Sequence, residues 1–384
     1  MIEVGQPEVV IPSQRVPRSV RPLRANNNLD ACVVDGTTFL AWRTAPIHFA
    51  SRRARLEVVA VDPDGTWSHE TTVRLHRDVR EPRLVAHDGR LLLYFFPAGV
   101  HPARFEPDRI HVLQRLGPGA WTGPRPVSPP DHVVWRVRSI DGGLVMSGYG
   151  DASGAYTTDR APRARLWRSD DGFAWEPWIH SEALTDGTTE TDFVVLPSGD
   201  LLLVSRRESR GSGLGTLLAV VDRQGRVLAS RHDRRKFDSP ALFRWHGRTF
   251  LVTRRQRAFG GRVEVMPERL PVGWRDLGDQ LLYWVTPKAT SLYEIDEATL
   301  RAELVADLPG CGDTAFASVV GGEDDDEVTV YNYSSPFWMT AAPWVAGQLL
   351  PTQIHRVTLS ARPLRRAGGA PTRGGAHRCG PRRR

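Results

Sequence analysis

Residues 190–207 read ETDFVVLPSGDLLLVSRR: two apolar runs around an S-G turn, opened by an acid and closed by a pair of arginines. Short runs rich in leucine and β-branched residues, joined by such a turn, predict a β-hairpin. The arrangement recurs at residues 27–43 (NNLDACVVDGTTFLAWR), 81–96 (EPRLVAHDGRLLLYFF), 135–150 (WRVRSIDGGLVMSGYG), 238–255 (DSPALFRWHGRTFLVTRR) and 312–333 (GDTAFASVVGGEDDDEVTVYNY). Copies start every 48 to 74 residues. Weaker hairpins lie between them, such as 55–75 (RLEVVAVDPDGTWSHETTVRL) and 216–232 (TLLAVVDRQGRVLASRH). Four strands in about 55 residues, six times over, predict an all-β chain folded as a six-bladed β-propeller of four-stranded antiparallel blades.

A five-bladed ring is the competing arrangement, because the third copy opens on a weak strand and the sixth carries the insertion GGEDDDE. No strong helical periodicity is read anywhere. Residues 354–360 (IHRVTLS) and the early EVVIP compete for the outer strand that closes the ring. The expected division is an N-terminal extension over 1–24, a propeller over 25–360 and a disordered arginine-rich tail over 361–384.

The 384 residues carry 51 basic and 44 acidic side chains, a formal charge of +7. Residues 361–384 hold eight arginines and no acid, so the excess positive charge belongs to the tail. That tail lacks apolar periodicity and cannot offset its ordering entropy by burial. Only Lys236 and Lys288 accompany the arginines, so arginine is enriched throughout the chain, and a nucleic-acid partner is not expected. Three scattered cysteines, Cys32, Cys311 and Cys379, make neither a disulfide framework nor a C-x-x-C zinc pair. No stretch reads as a signal peptide or a membrane span. The expectation is a cytoplasmic protein with no membrane partner, cofactor or metal; the acidic run Glu323 to Glu327 reads as a solvated turn. Oligomeric state is left open.

Aligning the copies on their turn glycines puts Asn28, Glu81, Trp135 or Val134, Glu190, Asp238 and Asp313 at one end of the first strands. Arg43, Phe96, Tyr149, Arg206 and Arg254 stand at the same end of the second strands. First strands line a propeller's channel, so acids and arginines converge on one mouth. Three guanidinium groups there, Arg43, Arg206 and Arg254, would grip an anion with planar forks of donors. Pairing across a hairpin, as between Glu190 and Arg206, is the competing structural role.

The segment RSDDGFAW, with Ser169, Asp171, Gly172 and Trp175, is similar to the Asp-box of the sialidase superfamily, and VDPDGTW is a degenerate second copy. Residues 190–206 resemble the sialidase stretch E-x-x-x-x-x-L-x-x-G-x-L-x-x-x-x-R. By that resemblance Glu190 would polarise a tyrosine nucleophile, while Arg206 and Arg254 would belong to a triad holding a substrate carboxylate. The F-R-I-P motif is absent, so Arg24 or Arg43 would have to supply the third arginine. Phe316 stands near the place of the nucleophilic tyrosine, which leaves Tyr331 or Tyr333 to reach the pocket. No T-D-x-G acid loop follows the first blade, where His48 is the titratable candidate.

Hydrolysis can also proceed through two carboxyl groups without tyrosine. Asp30, Glu81, Glu190, Asp192, Asp238 and Asp313 are the candidates. The reading is an exo-glycoside hydrolase removing a terminal acidic sugar, with Glu81 and Tyr149 among the substrate-binding residues. The alternative is a non-catalytic propeller of the same kind that binds glycans or a protein partner.

Overall fold

The computed structural model describes residues 2–102, 104–152, 161–209 and 213–361. Six antiparallel sheets form a six-bladed β-propeller. Blade four is representative, with Thr188–Val195 innermost, then Leu201–Ser209, Gly213–Val221 and Val227–Asp233. In blades two and six the outermost position is shared by two short strands. The innermost strands meet in succession around the axis, and Thr314–Val320 of blade six contacts Ala25–Val34 of blade one. The five-bladed arrangement is therefore set aside: the third copy's opening segment pairs as the full strand His132–Ile140.

Both candidates for the closing strand are used. IHRVTLS lies in the third strand of blade six, Gln353–Ala361, and Ile2–Val4 and Glu8–Ile11 both pair outside it. The N-terminal extension thus contributes two strands to the outer edge of the last blade. The ring closes by hydrogen bonds between chain ends rather than by a covalent connection. Beyond Ala361, the expected tail lies outside the described residues.

The continuous apolar runs follow from burial on both sheet faces. Leu201 and Leu203 point toward the cluster shared with blade three, which holds Val145 and Leu166. Leu202 and Val204 point the other way, against Leu242 and Leu251 of blade five. Alternation along the strand therefore selects which neighbouring blade is touched, and no face is left for water. Burying one such leucine contributes roughly 1.5–3 kcal/mol.

One element departs from the expected all-strand pattern. Helix α1 (Val272–Val285) sits between the second and third strands of blade five. Trp274, Leu277, Leu281 and Trp284 carry the helical spacing, inside the stretch that makes the fifth-to-sixth interval the longest. A shorter helix, α2 (Trp344–Gly347), occupies the corresponding connection of blade six.

Every innermost strand slips register once near its open end. The breaks lie between Asn27 and Leu29, Arg80 and Arg83, Val134 and Arg136, Thr188 and Thr191, Asp238 and Ala241, and Ala315 and Ser318. Asn28, Glu81, Ser239 and Phe316 within them have φ of 44°, 54°, 54° and 56°. Such bulges turn a side chain out of the pleat, and here they turn several toward the axis.

Candidate active site

The bulged ends enclose a cavity of about 430 Å³ at the end of the ring opposite the hairpin turns. Asn28, Glu81, Glu190, Asp238 and Phe316 reach it from first strands, and Tyr149, Arg206 and Arg254 from second strands. Connections between second and third strands complete the wall, with His48 from blade one, Arg104 from blade two, Tyr283 from blade five and Trp344 from blade six.

Glu190 is gripped from two sides. Its Oε1 lies 2.8 Å from Arg206 Nη1, and its Oε2 accepts a hydrogen bond of 2.7 Å from the Ser239 backbone N–H. Burial raises its pKa, and Arg206 works against that rise. Glu81 is differently placed. It is 6% exposed, its Oε2 has no hydrogen-bond partner among the described residues, and burial pushes its carboxyl up to about 8. A carboxylic acid in that setting keeps its proton at neutral pH.

Asp238 is the ionised centre of the opposite wall. It accepts from Arg254 Nη2 at 2.9 Å and from the Tyr283 hydroxyl, with Arg206 Nη1 at 3.6 Å and Lys236 Nζ at 3.8 Å. Burial alone would raise its pKa, but Lys236, Arg254 and Arg206 together hold it below the ordinary value. Arg254 also stacks on Trp344, 4.5 Å from the ring centroid.

Arg206 and Arg254 thus reach the expected mouth, each already beside a carboxylate. Arg43 does not reach it. It is fully buried behind the wall, 2.7 Å from Asp78, with further hydrogen bonds to Asn27 Oδ1 and the Phe49 carbonyl. Arg80, the neighbour that shares Asp78, lines the cavity instead. Arg24 is exposed outside the cavity wall. The lining holds five basic side chains, Arg80, Arg104, Arg206, Lys236 and Arg254, against Glu81, Glu190, Glu208 and Asp238. With Glu81 protonated, positive charge exceeds negative by two before His48 is considered.

Three expected acids do not line the cavity. Asp30 accepts from the Leu84 backbone N–H of blade two at 2.9 Å and from Ser318 Oγ at 2.7 Å. Asp192 does the same for blade five, accepting from the Leu242 N–H at 2.8 Å. Both pin one blade to the next below the cavity. Asp313 lies behind the wall, 2.7 Å from His48 Nδ1, and accepts from Tyr333 Oη at 3.1 Å and Trp344 Nε1 at 3.2 Å. Burial lowers the His48 pKa in spite of that carboxylate.

Neither tyrosine put forward as nucleophile lines the cavity. Tyr333 is fully buried behind Phe316, with ring centroids 6.2 Å apart, and Tyr331 packs in the core between blades six and one. The tyrosine that does line the wall beside Tyr149 is Tyr283, missed because it rides on helix α1 and stands outside the repeat. Its ring is flanked by Lys236 Nζ at 4.5 Å and Lys288 Nζ at 4.0 Å from the centroid. These are the chain's only lysines, and their rarity was the available signal. Lys288 donates to the Tyr283 and Thr286 carbonyls, and burial pulls its pKa down to about 6.

On the outer strands of blade three, the turn after Ser169 is tied by Asp171 Oδ1, which accepts from the Phe173 and Ala174 N–H groups at 2.7 and 2.8 Å. Trp175 Nε1 donates to the Gly172 carbonyl at 3.2 Å. The acidic run Glu323 to Glu327 sits at the hairpin-turn end, away from the cavity, where Glu323 meets Arg244 at 3.2 Å.

No family model and no curated protein matches this sequence. Solved structures do share the fold. A protein of unknown function from Dyadobacter fermentans is 16% identical, with a TM-score of 0.63 over 94% of this chain and 99% of its own. Trypanosoma rangeli sialidase is 13% identical with a TM-score of 0.60, covering 88% of this chain; the match spans about half of the sialidase, 55% of its length. The α-L-arabinofuranosidase arb93a of Fusarium graminearum is 11% identical, with a TM-score of 0.53 over 87% of this chain and 93% of its own. The chain therefore has the six-bladed architecture found in these glycoside hydrolases, at identities that speak for fold alone.

Proposed function

We propose that this protein is an exo-acting glycoside hydrolase for a terminal acidic sugar, with Glu81 as general acid and Glu190 as nucleophile or base. The observation that carries this is the unequal setting of two buried carboxyl groups on one cavity. Glu81 lies in a poorly paired site that favours its protonated form, with a pKa raised to about 8. Glu190, whose pKa burial also raises, is held by Arg206 and a backbone N–H, which work toward its carboxylate. Glycosidases need one group in each state: the acid protonates the leaving oxygen while the carboxylate meets the positive charge at the sugar ring.

The basic excess of the lining favours an anionic substituent on the sugar, and Arg206, Arg254 and Arg80 are the groups we assign to it. Tyr149 and Phe316 line the cavity and are the aromatic side chains we assign to the sugar. Sialic acid, found in complex with one structural neighbour, the Trypanosoma rangeli sialidase, is a sugar of this class. The tied turn at Ser169–Trp175 is read as an Asp-box, a fold clasp with no part in the chemistry.

Chromogenic glycosides of acidic and neutral sugars test this with wild type, Glu81→Gln, Glu190→Gln and Arg206→Ala. Turnover of an acidic substrate, lost in both glutamine variants, is the expected result. Turnover that survives both substitutions would remove the carboxyl pair. A second reading, a glycan-binding propeller without catalysis, draws on Phe316 standing at the wall where the resemblance calls for a tyrosine. It predicts saturable glycan binding and no turnover of any substrate.

A further inference from the structure

Helix α1 carries its apolar side outward. At 3.6 residues per turn, Trp274, Leu277, Leu281, Trp284 and Val285 fall on one arc of about 100°. All five are exposed, Trp274 by 67% and Leu277 by 51%. The opposite arc is polar and points inward: Asp279 accepts from the Val265 and Met266 N–H groups, and Tyr283 reaches Asp238. A surface helix of a soluble domain normally has the reverse polarity.

The surface continues beyond the helix. α1 contacts α2 in the neighbouring connection, residues 335–352, which contain no charged residue and expose Trp338 by 81%, together with Phe337 and Leu349. Both connections join second to third strands, so they stand at the cavity's end of the ring. Trp284 and Trp344 are themselves part of the cavity wall. The apolar face and the cavity mouth form one continuous surface.

We propose that this face rests on a lipid surface and that the cavity draws its sugar from a glycoside anchored there by hydrocarbon chains. The apolar face carries the lipid contact; the anchored substrate, and the exclusion of a partner that shuts the cavity, rest on the hydrolase reading above. Three features select this occupant. A second copy or a protein laid on the stripe would cover Trp284 and shut the cavity, whereas a lipid-anchored glycoside brings its sugar to the mouth. A sugar platform needs hydrogen-bonding side chains beside its rings, and Leu277, Leu281 and Val285 offer only hydrocarbon. Tryptophans around an aliphatic centre suit the boundary between headgroups and acyl chains. No helix among the described residues is long and apolar enough to cross a membrane, and the contact proposed is one of surface with surface. The expectation from sequence that no membrane is involved was drawn from the lack of a span, which does not bear on surface contact.

Flotation of the full chain with phosphatidylcholine vesicles tests the proposal. Neutral lipid is chosen so that the arginines beyond Ala361 contribute nothing through charge. Wild type floats with the vesicles. The triple variant Trp274→Ser, Leu277→Ser, Leu281→Ser loses partitioning by about tenfold or more, as withdrawal of several buried methylene groups requires, with an unchanged melting temperature. Glu81→Gln floats like wild type, so loss of catalysis and loss of lipid contact are read separately. Failure of wild type to float, or equal flotation of the triple variant, overturns the proposal. A wild-type dimer that the triple variant converts to monomer in light scattering overturns it in favour of a second copy.

Discussion

Arg206 Nη1 lies 2.8 Å from Glu190 Oε1, across the open end of one hairpin. The arginine is shared, since the same nitrogen is 3.6 Å from Asp238 and its Nε is 3.3 Å from Glu208. It therefore couples the carboxylate assigned to chemistry with the ionised Asp238 of the adjacent blade. Removing it leaves Glu190 buried without its main counterion. Arg206→Ala is expected to raise the Glu190 pKa further and to move the acidic limb of the pH–rate profile toward higher pH, with kcat/KM down by about 10²–10⁴. A profile with an unmoved acidic limb would separate Glu190 from the reaction.

Glu81 gives a prediction with a defined sign. Its native pKa of about 8 lies above the ordinary carboxyl value, so between the two the native state binds more protons than the unfolded chain. Its contribution is most favourable at low pH and is lost as pH rises toward 8. Glu81→Gln should therefore raise the melting temperature relative to wild type increasingly from pH 5 to pH 8, measured by scanning calorimetry. The same titration should end wild-type turnover on the alkaline side as the acid loses its proton.

Tyr283 and Asp238 form a buried pair that also engages Arg254. Tyr283→Phe removes one donor from a charged acceptor, a loss of about 1.5–3 kcal/mol in stability. If Arg254 holds the substrate's anion, freeing its position should raise KM more than it lowers kcat. A pure kcat effect would instead place Tyr283 among the reacting groups.

Asp30 and Asp192 should behave as fold residues. Asp192→Asn leaves Arg136, 3.3 Å from the carboxylate, and Arg138, 3.0 Å from it, with less compensation. Breaking a buried pair in this way costs about 3–5 kcal/mol. The expected outcome is a lower denaturation midpoint with kcat retained at temperatures where the variant is folded.

The strands Ile2–Val4 and Glu8–Ile11 cover the edge of Gln353–Ala361. Deleting residues 1–11 should bare that edge, lower the melting temperature by several degrees and promote self-association, detectable by light scattering.

Much of this was legible beforehand because a propeller writes its repeat into the chain. Every blade must bury both faces of its inner strands, so LLLV at 201–204 and LLLYFF at 91–96 announce themselves by hydrophobicity, and the turn glycines Gly89 and Gly199, with φ of 67° and 88°, mark the phase. Phase alone brought Glu81, Glu190, Asp238, Tyr149, Arg206 and Arg254 to one cavity. It also misplaced Arg43, because a strand position tells which end a side chain occupies but not whether a nearer acid such as Asp78 holds it. Tyr283 and Lys236 were not drawn into the site from sequence because one lies in a connection and the other just outside the aligned positions, where repetition imposes nothing.

Local sequence thus determined the hairpins, their number and the end of the ring where polar residues gather, since hydrophobic alternation and turn chemistry act over a few neighbouring residues. Tertiary structure alone decided which carboxyl keeps its proton, which guanidinium faces the cavity and which acid merely pins two blades. Those outcomes depend on burial and on charges brought together from distant parts of the chain, as Glu81 and Glu190 are from blades two and four, and such energies exist only once the ring has closed.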